Sequence, residues 1–449
     1  MIWKLFGAAL ALRWAYALLM YFSFGEAGLK GVDSYSYAAV AREFADAVAS
    51  GSVSGWQWLG SDPSMMPLFN AVLTLTELLF GQSGPLAYIL LQGLCDAATC
   101  VLVYLTARTI RPDCALAAGI CAAINPTQIV MSGLYYADTI FVFFVTLFML
   151  GTVRWLRLPS AGNAALIATG LACATLYRVL VLPWMAVLIV ILLANAAWRS
   201  RLTASVAIKL AGITLIVGLF AGAMFARNVS VYGAWQLTSQ GGRHLQFVVP
   251  WVGQAYDGTP WAVGEKQLVD ATKARYPQPA HNEFDESNRL SEVAKEVWRG
   301  FGLLPTVRAW IYGAAINIAS PGILLSPPLL QIPRTGFYGT PGSTMIEKVK
   351  NFLFSGESAV YTWALLLGGL GVVIIRVIQL VGAGSLIRLA WGDRRMAMPA
   401  ALIMGLWCCF ILVTNGPVAS PKYRLPMEPV LHVLSGLGMA ALRRRRPAD

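Results

Sequence analysis

Charge is scarce in this chain. Only 12% of its 449 residues are Asp, Glu, Lys or Arg, while 57% are hydrophobic. Soluble domains carry roughly 25% charged residues, so the composition excludes an ordinary soluble domain and points to an integral membrane protein. Mean hydropathy is +0.61. Histidine is also scarce, with three residues, and the seven cysteines lie in or beside apolar stretches with no metal-ligand spacing. A zinc site is therefore not expected, and the cysteines read as small apolar packing residues. Internal repeats and low-complexity tracts are lacking. The net charge of +12 is spread over short loops rather than gathered into a nucleic-acid patch, so no nucleic-acid partner is expected. Met1–Met20 shows no small-residue cleavage site before a polar stretch and reads as an uncleaved signal anchor.

What is present is a series of apolar runs. A bilayer-crossing helix needs about 20 apolar residues, and ten runs qualify: 3–24, 85–107, 114–132, 137–153, 163–178, 180–198, 206–225, 358–382, 396–415 and 426–441. Basic residues orient membrane helices with their loops on the cytoplasmic side. Arg108/Arg111, Arg154/Arg157, Arg199/Arg201/Lys209, Arg388/Arg394/Arg395 and the Arg443–Arg446 tail all fall on one side of a ten-span chain, together with Lys4. The tail also suits contact with anionic membrane lipid. Both termini are thus expected in the cytoplasm, in a plasma (inner) membrane. Counting the shorter runs 67–81 and 302–319 as spans would send the first three basic loops outward, so both are expected as interfacial or re-entrant helices on the outer face. The expected organisation is an N-terminal membrane module, 1–225, with a first outer loop 25–84. An extracytoplasmic insertion follows at 226–357, holding the interfacial helix 302–319, and a C-terminal membrane module at 358–449. Within the insertion, Ser287–Trp298 has apolar Leu290, Val293, Ala294 and Val297 at helical spacing, and the prolines of 320–342 predict an irregular covering loop.

Several polar residues gather on the expected outer face. Asp33 follows the first span and stands before Ser36–Val48, an amphipathic pattern. It is either a helix cap or a general base for an acceptor hydroxyl. Asp62, in an Asp-Pro turn, and Asp138, at the start of a span, are further outer acids. Arg178 lies between two spans. It runs against the orientation rule, as do Lys422 and Arg424 in Ser420-Pro421-Lys422-Tyr423-Arg424, which points to an anionic partner. Arg227-Asn228 closes a span, and Gly241-Gly242-Arg243-His244 combines cations with residues that permit close backbone approach. Arg13, inside the first span, needs a buried partner or a path to the inner surface.

Taken in order, these segments resemble the bacterial dolichyl-phosphate-mannose mannosyltransferase-like family, relatives of the lipid A aminoarabinose transferase. The residues that carry the resemblance are Asp33…Tyr37, Pro67-Leu68…Phe80-Gly81, Pro126…Ser132…Asp138, Gly170-Leu171-Ala172…Arg178, Arg227-Asn228…Gly233…Thr238…Gly241-Gly242…Leu245 and Lys422-Tyr423-Arg424…Pro426. The resemblance implies an all-α polytopic GT-C fold and transfer of a sugar from a polyprenyl-phosphate donor to a lipid or glycan acceptor on the periplasmic face. Asp33 would be the base or acceptor-orienting acid and Asp138 a second acid. Asp62, Arg178, Arg227, Asn228, Arg243, His244, Lys422, Tyr423 and Arg424 would bind substrate, with Arg227, Arg243, Lys422 and Arg424 at the donor phosphate. No cofactor is implied. A divalent metal is compatible with some relatives, but the sequence offers no dedicated site for one. Ser34 stands where protein mannosyltransferases have Glu, which argues against a protein acceptor. A polytopic transporter and a non-catalytic envelope-assembly protein are the alternatives.

Overall fold

The computed structural model describes residues 1–52, 63–333, 339–354 and 358–444. Each of the ten expected spans has a helical counterpart. Among these residues, eight stretches are long and apolar enough to cross a membrane. They contain α1 (Ile2–Phe24), α4 (Gly84–Ile110), α7 (Asp138–Arg157), α9 (Val181–Trp198), α10 (Ala204–Tyr232), α16 (Ala359–Gly392), α17 (Ala397–Asn415) and α18 (Glu428–Arg444). The run 114–132 is a pair, α5 (Ala115–Ala123) and α6 (Pro126–Ser132), bent by 50°. The run 163–178 is the 17-residue α8 (Ala161–Tyr177).

The bend has a local cause. Pro126 has no N–H to continue the helix of α5, and the Asn125 side chain accepts from Thr127 N at 2.8 Å, starting α6 afresh. Among the described residues, the break leaves the Ala123 carbonyl with no backbone donor and the Ala122 carbonyl with a long bond from Asn125 N at 3.4 Å. Arg13 reaches across from α1 to bind both carbonyls, Ala122 at 3.0 Å and Ala123, and pairs with Asp96 at 2.7 Å. This is the buried partner that the sequence demands of Arg13.

The basic loops meet at one end of the bundle. Arg157 donates to Thr109 O, Arg199 to Leu156 O and Arg395 O, Lys209 to Pro159 O, and Arg444 pairs with Asp113. At the opposite end lie α2 (Ser34–Ala49) and α3 (Pro67–Phe80). Ala38, Ala41 and Ala45 are the buried face of α2, small enough for close packing on α3. Gly81, at φ +56°, ends α3, and Gly84 then packs on Glu77 as the chain turns into α4. Phe69 of α3 touches Tyr37, Tyr88 and Tyr177, tying α3 to α2, α4 and α8.

Three polar helices, α11 (Gln240–Asp257), α12 (Trp261–Arg275) and α13 (Glu283–Phe301), pack around Val249, Leu268, Val293 and Ala294 above this end. The amphipathic pattern of 287–298 is the middle of α13. Then α14 (Leu303–Ala319) leads back, its Gly313 against the Gly416–Pro417 backbone and Trp310 Nε1 donating to Val413 O. A short amphipathic helix, α15 (Met345–Phe354), precedes α16.

Candidate active site

Between the bundle and the three-helix unit lies a cavity of about 1190 Å³. Small-ligand sites usually span 300–1,000 Å³, so this one has room for a sugar phosphate and a second reactant. Its floor carries Asp33, Tyr37, Arg178, Lys422 and Tyr423. One flank is apolar, with Leu180, Leu182, Ala221, Gly222 and Phe225. The roof comes from the Trp235–Thr238 loop, from Gly241, Arg243 and His244 of α11, and from Ser287, Asn288, Ser291 and Lys295 of α13.

Asp33 occupies the N-cap position of α2, yet its side chain makes no capping bond. Its Oδ2 instead accepts from Lys422 Nζ at 2.5 Å, joining the first outer loop to the last. The Lys422 ammonium also lies 5.0 Å from the centre of the Tyr136 ring and 5.3 Å from that of Tyr423. Aromatic faces hold a cation without using its hydrogen bonds. Tyr37 borders the pair. Burial pushes its phenol up to about 12, and the Asp33 carboxylate adds to the shift, so it stays a neutral donor.

A glycine makes room for this arrangement. A Cβ on Gly31 would fall 2.3 Å from the Tyr136 hydroxyl. Gly31→Ala is therefore expected to displace Tyr136 and the ammonium resting on it. Misplacement near 1 Å can cost about 100-fold in rate, so chemistry carried out in this cavity should slow about 10–100-fold in this variant with its unfolding transition nearly unchanged. Normal turnover would show that the Tyr136 cradle is dispensable.

Asp138 and Arg178 also meet, at 2.7 Å. Asp138 opens α7, where the helix dipole favours a carboxylate, and Arg178 terminates α8 and faces the cavity. Arg243 and His244 both line the roof. His244 sits in a concave wall, accessible to the cavity but crowded by protein, and desolvation lowers its pKa. It is neutral at pH 7, a hydrogen-bonding group rather than a cation.

Other expected site residues are elsewhere. Arg424 does not line the cavity. Fully buried, it donates to Glu428 (2.6 Å), Thr127 (2.9 Å) and the carbonyls of Asn317 (2.7 Å) and Ser320 (2.9 Å). Its donors clamp α14 to α18 and leave it remote from a phosphate. Arg227 is likewise buried, bonded to Asn228 (2.7 Å) and stacked 5.2 Å from the Tyr232 ring. Asn228 donates to the carbonyls of Gln236 and Leu237 and so shapes the loop that lines the cavity. Gly242 approaches the Ser287 backbone, where a Cβ would meet the carbonyl oxygen at 2.2 Å. Its role is packing of α11 on α13, not approach to a ligand. Asp62 lies outside the described residues.

Sequence reading missed Tyr136 and Lys295. Tyr136 carried no charge signal, and Lys295 lies on the wet face of an amphipathic helix, where lysines are ordinarily solvated.

Residues 62–224 match the family described as dolichyl-phosphate-mannose-protein mannosyltransferase. The match includes Asp138 and Arg178 but neither Asp33 nor Lys422. No curated protein matches the chain. Among solved structures, ArnT from Cupriavidus metallidurans bound to undecaprenyl phosphate aligns with 97% of this chain and 77% of its own, at 17% identity and a TM-score of 0.35. Its apo form gives 97% and 77%, at 16% identity and 0.34. The Archaeoglobus fulgidus oligosaccharyltransferase tethered with an acceptor peptide aligns with 99% of this chain and 49% of its own, at 13% identity and 0.44. The resemblance read from the motifs is borne out where the family model applies, over residues 62–224, and the described residues form an all-helical, polytopic membrane protein.

Proposed function

We propose that the protein transfers a sugar from a polyprenyl-phosphate donor to a hydroxyl of a lipid or glycan acceptor, with inversion at the sugar carbon. The acceptor oxygen attacks C1 as its proton passes to Asp33. The C1–O bond breaks with its electron pair going to the phosphate. Lys422, Arg178 and Arg243 meet that growing charge, the electrostatic contribution that is usually largest in such sites. The observation that carries the reading is the Asp33 side chain, released from capping and set on a cation at the cavity floor. The basic end of the bundle reads as cytoplasmic by the positive-inside rule, which supports a periplasmic site for the reaction.

The apolar flank suits the prenyl tail. A Cβ on Gly222 would meet nothing within 4 Å, so the wall is open there. Gly222→Phe is expected to fill the space and raise the KM for a long-chain donor about tenfold, about 1.4 kcal/mol of lost binding, with kcat little changed. A KM indifferent to Gly222→Phe would move the tail elsewhere.

The direct test is purified protein in liposomes with labelled polyprenyl-phosphate sugars and extracted envelope lipids. Release of polyprenyl phosphate coupled to labelling of the lipid fraction is the expected result. Donor that stays intact across the sugars and acceptors tried, while a substrate is carried across the bilayer, would favour a transporter.

A further inference from the structure

Asp33 and Lys422 carry two roles that the resting geometry sets against each other. A base must offer a lone pair to the acceptor hydroxyl, and an anion anchor must offer N–H groups to the phosphate. Here the ammonium donates to the carboxylate at 2.5 Å, with the lysine side chain 17% exposed and the Asp33 side chain 40% exposed. The neighbouring pair is closed too, Arg178 on Asp138 at 2.7 Å. What distinguishes Lys422 is its bed. Tyr136 and Tyr423 hold it by their ring faces, so the ammonium can swing between two anions while remaining in place. Lysine suits this because its charge is a compact point on a flexible stem, unlike the fixed fork of arginine.

We propose that Lys422 is exchanged between Asp33 and the donor phosphate, so that donor binding releases Asp33 to act as a base. The inference rests on the reading given under Proposed function. It favours an order in which the donor takes the ammonium first, because the cation on Oδ2 opposes the arrival of a proton at the carboxylate until it moves away. The same exchange closes the cycle. When the acceptor proton has moved to Asp33, the carboxyl group is neutral and no longer competes for Lys422. The leaving phosphate meanwhile has gained a negative charge and is held more firmly. Loss of the proton from Asp33 to water restores the carboxylate, which reclaims the ammonium and weakens the hold on the lipid phosphate. Proton and electron pair balance at each step, and no further reactant is needed.

The signature is a carboxylate that opposes phosphate binding through one particular lysine. Farnesyl phosphate, with farnesol as the uncharged control, is titrated into the full-length protein in detergent. Wild type, Asp33→Asn, Lys422→Met and the double variant are compared. Asp33→Asn is expected to tighten binding about three- to fivefold, the upper end for a partly exposed ion pair. Lys422→Met should weaken it about tenfold or more. In the Lys422→Met background, Asp33→Asn should change affinity less than about twofold, because coupled residues are not additive. If Asp33→Asn tightens binding equally in both backgrounds, Asp33 acts by plain repulsion and the exchange is overturned. Unchanged affinity with Lys422 present overturns it as well. Lys422→Gln replaces Lys422→Met if the latter loses its unfolding transition. Turnover is measured separately. An additive cycle with Asp33→Asn inactive rejects the exchange alone, whereas full turnover by Asp33→Asn rejects the reading of Asp33 as base.

Discussion

Asp33→Asn should lower the rate of the proposed sugar transfer about 10²–10⁴-fold, the usual worth of a positioned general base, equivalent to about 3–5 kcal/mol of barrier. The choice of asparagine separates the two readings of this position. Asparagine caps helices as well as aspartate does, so a residue that merely starts α2 would tolerate it. The structure already disfavours capping, because the carboxylate makes no bond to the first turn and Ser34 Oγ accepts from Gly31 N at 2.9 Å. The fold should survive, since only one ion pair is lost at a half-exposed site. The kinetic pattern matters as much as the size. A lost base depresses kcat without raising the KM of the donor. An acceptor that is already ionised, such as a phosphate, would need no base, and the loss would then appear in the acceptor KM. Transfer by Asp33→Asn at the wild-type rate in a folded protein would leave Asp33 with no part in the chemistry.

Why so much of the fold was legible, and less of the site, follows from the physics that each depends on. A bilayer demands about 20 apolar residues per crossing, a local property, so each span could be read from its own stretch. Even the break in 114–132 had its signs, a proline preceded by a capping asparagine, though the bend itself depends on Arg13 supplying donors from another helix. Lys422 and Arg424 show where local reading stops. Both run against the orientation rule and both were expected at the phosphate. Pro421–Met427 is a 3₁₀ helix, with three residues per turn, so side chains two positions apart diverge by about 120°. Lys422 therefore reaches the cavity while Arg424 turns inward to Glu428. Arg227 and Asn228 were read from type and position alone, but a helix end has orphan carbonyls and a return loop to secure, and Asn228 holds that loop. Asp33 was legible as a carboxylate at a membrane surface. Its partner, Lys422, lies 389 positions away in sequence and could be found only by folding the chain.

The largest stability effect is expected far from the cavity, at Arg13. Its guanidinium and the Asp96 carboxylate are each 1% exposed and 2.7 Å apart. Gln128 donates to the other Asp96 oxygen at 2.9 Å and meets His432 at 2.6 Å, while Asn125 donates to Glu428 at 3.1 Å. Arg13 thus satisfies both a carboxylate and the exposed end of α5 where no water can replace it. Arg13→Met should destabilise the protein by about 3–5 kcal/mol, the cost of stranding a buried charge, read from a denaturing-detergent titration. Arg13→Met with Asp96→Leu removes the stranded charge and should recover part of that loss. It should remain below wild type by about 1–3 kcal/mol, because the Ala123 carbonyl would then lack a donor. Activity should fall along with stability, since Thr127 and Asn125 beside the break hold Arg424 and Glu428, and Arg424 lies in the helical turn that presents Lys422. Arg13→Met unfolding like wild type, or the double variant proving weaker than the single, would show that the pair is not what braces the broken helix.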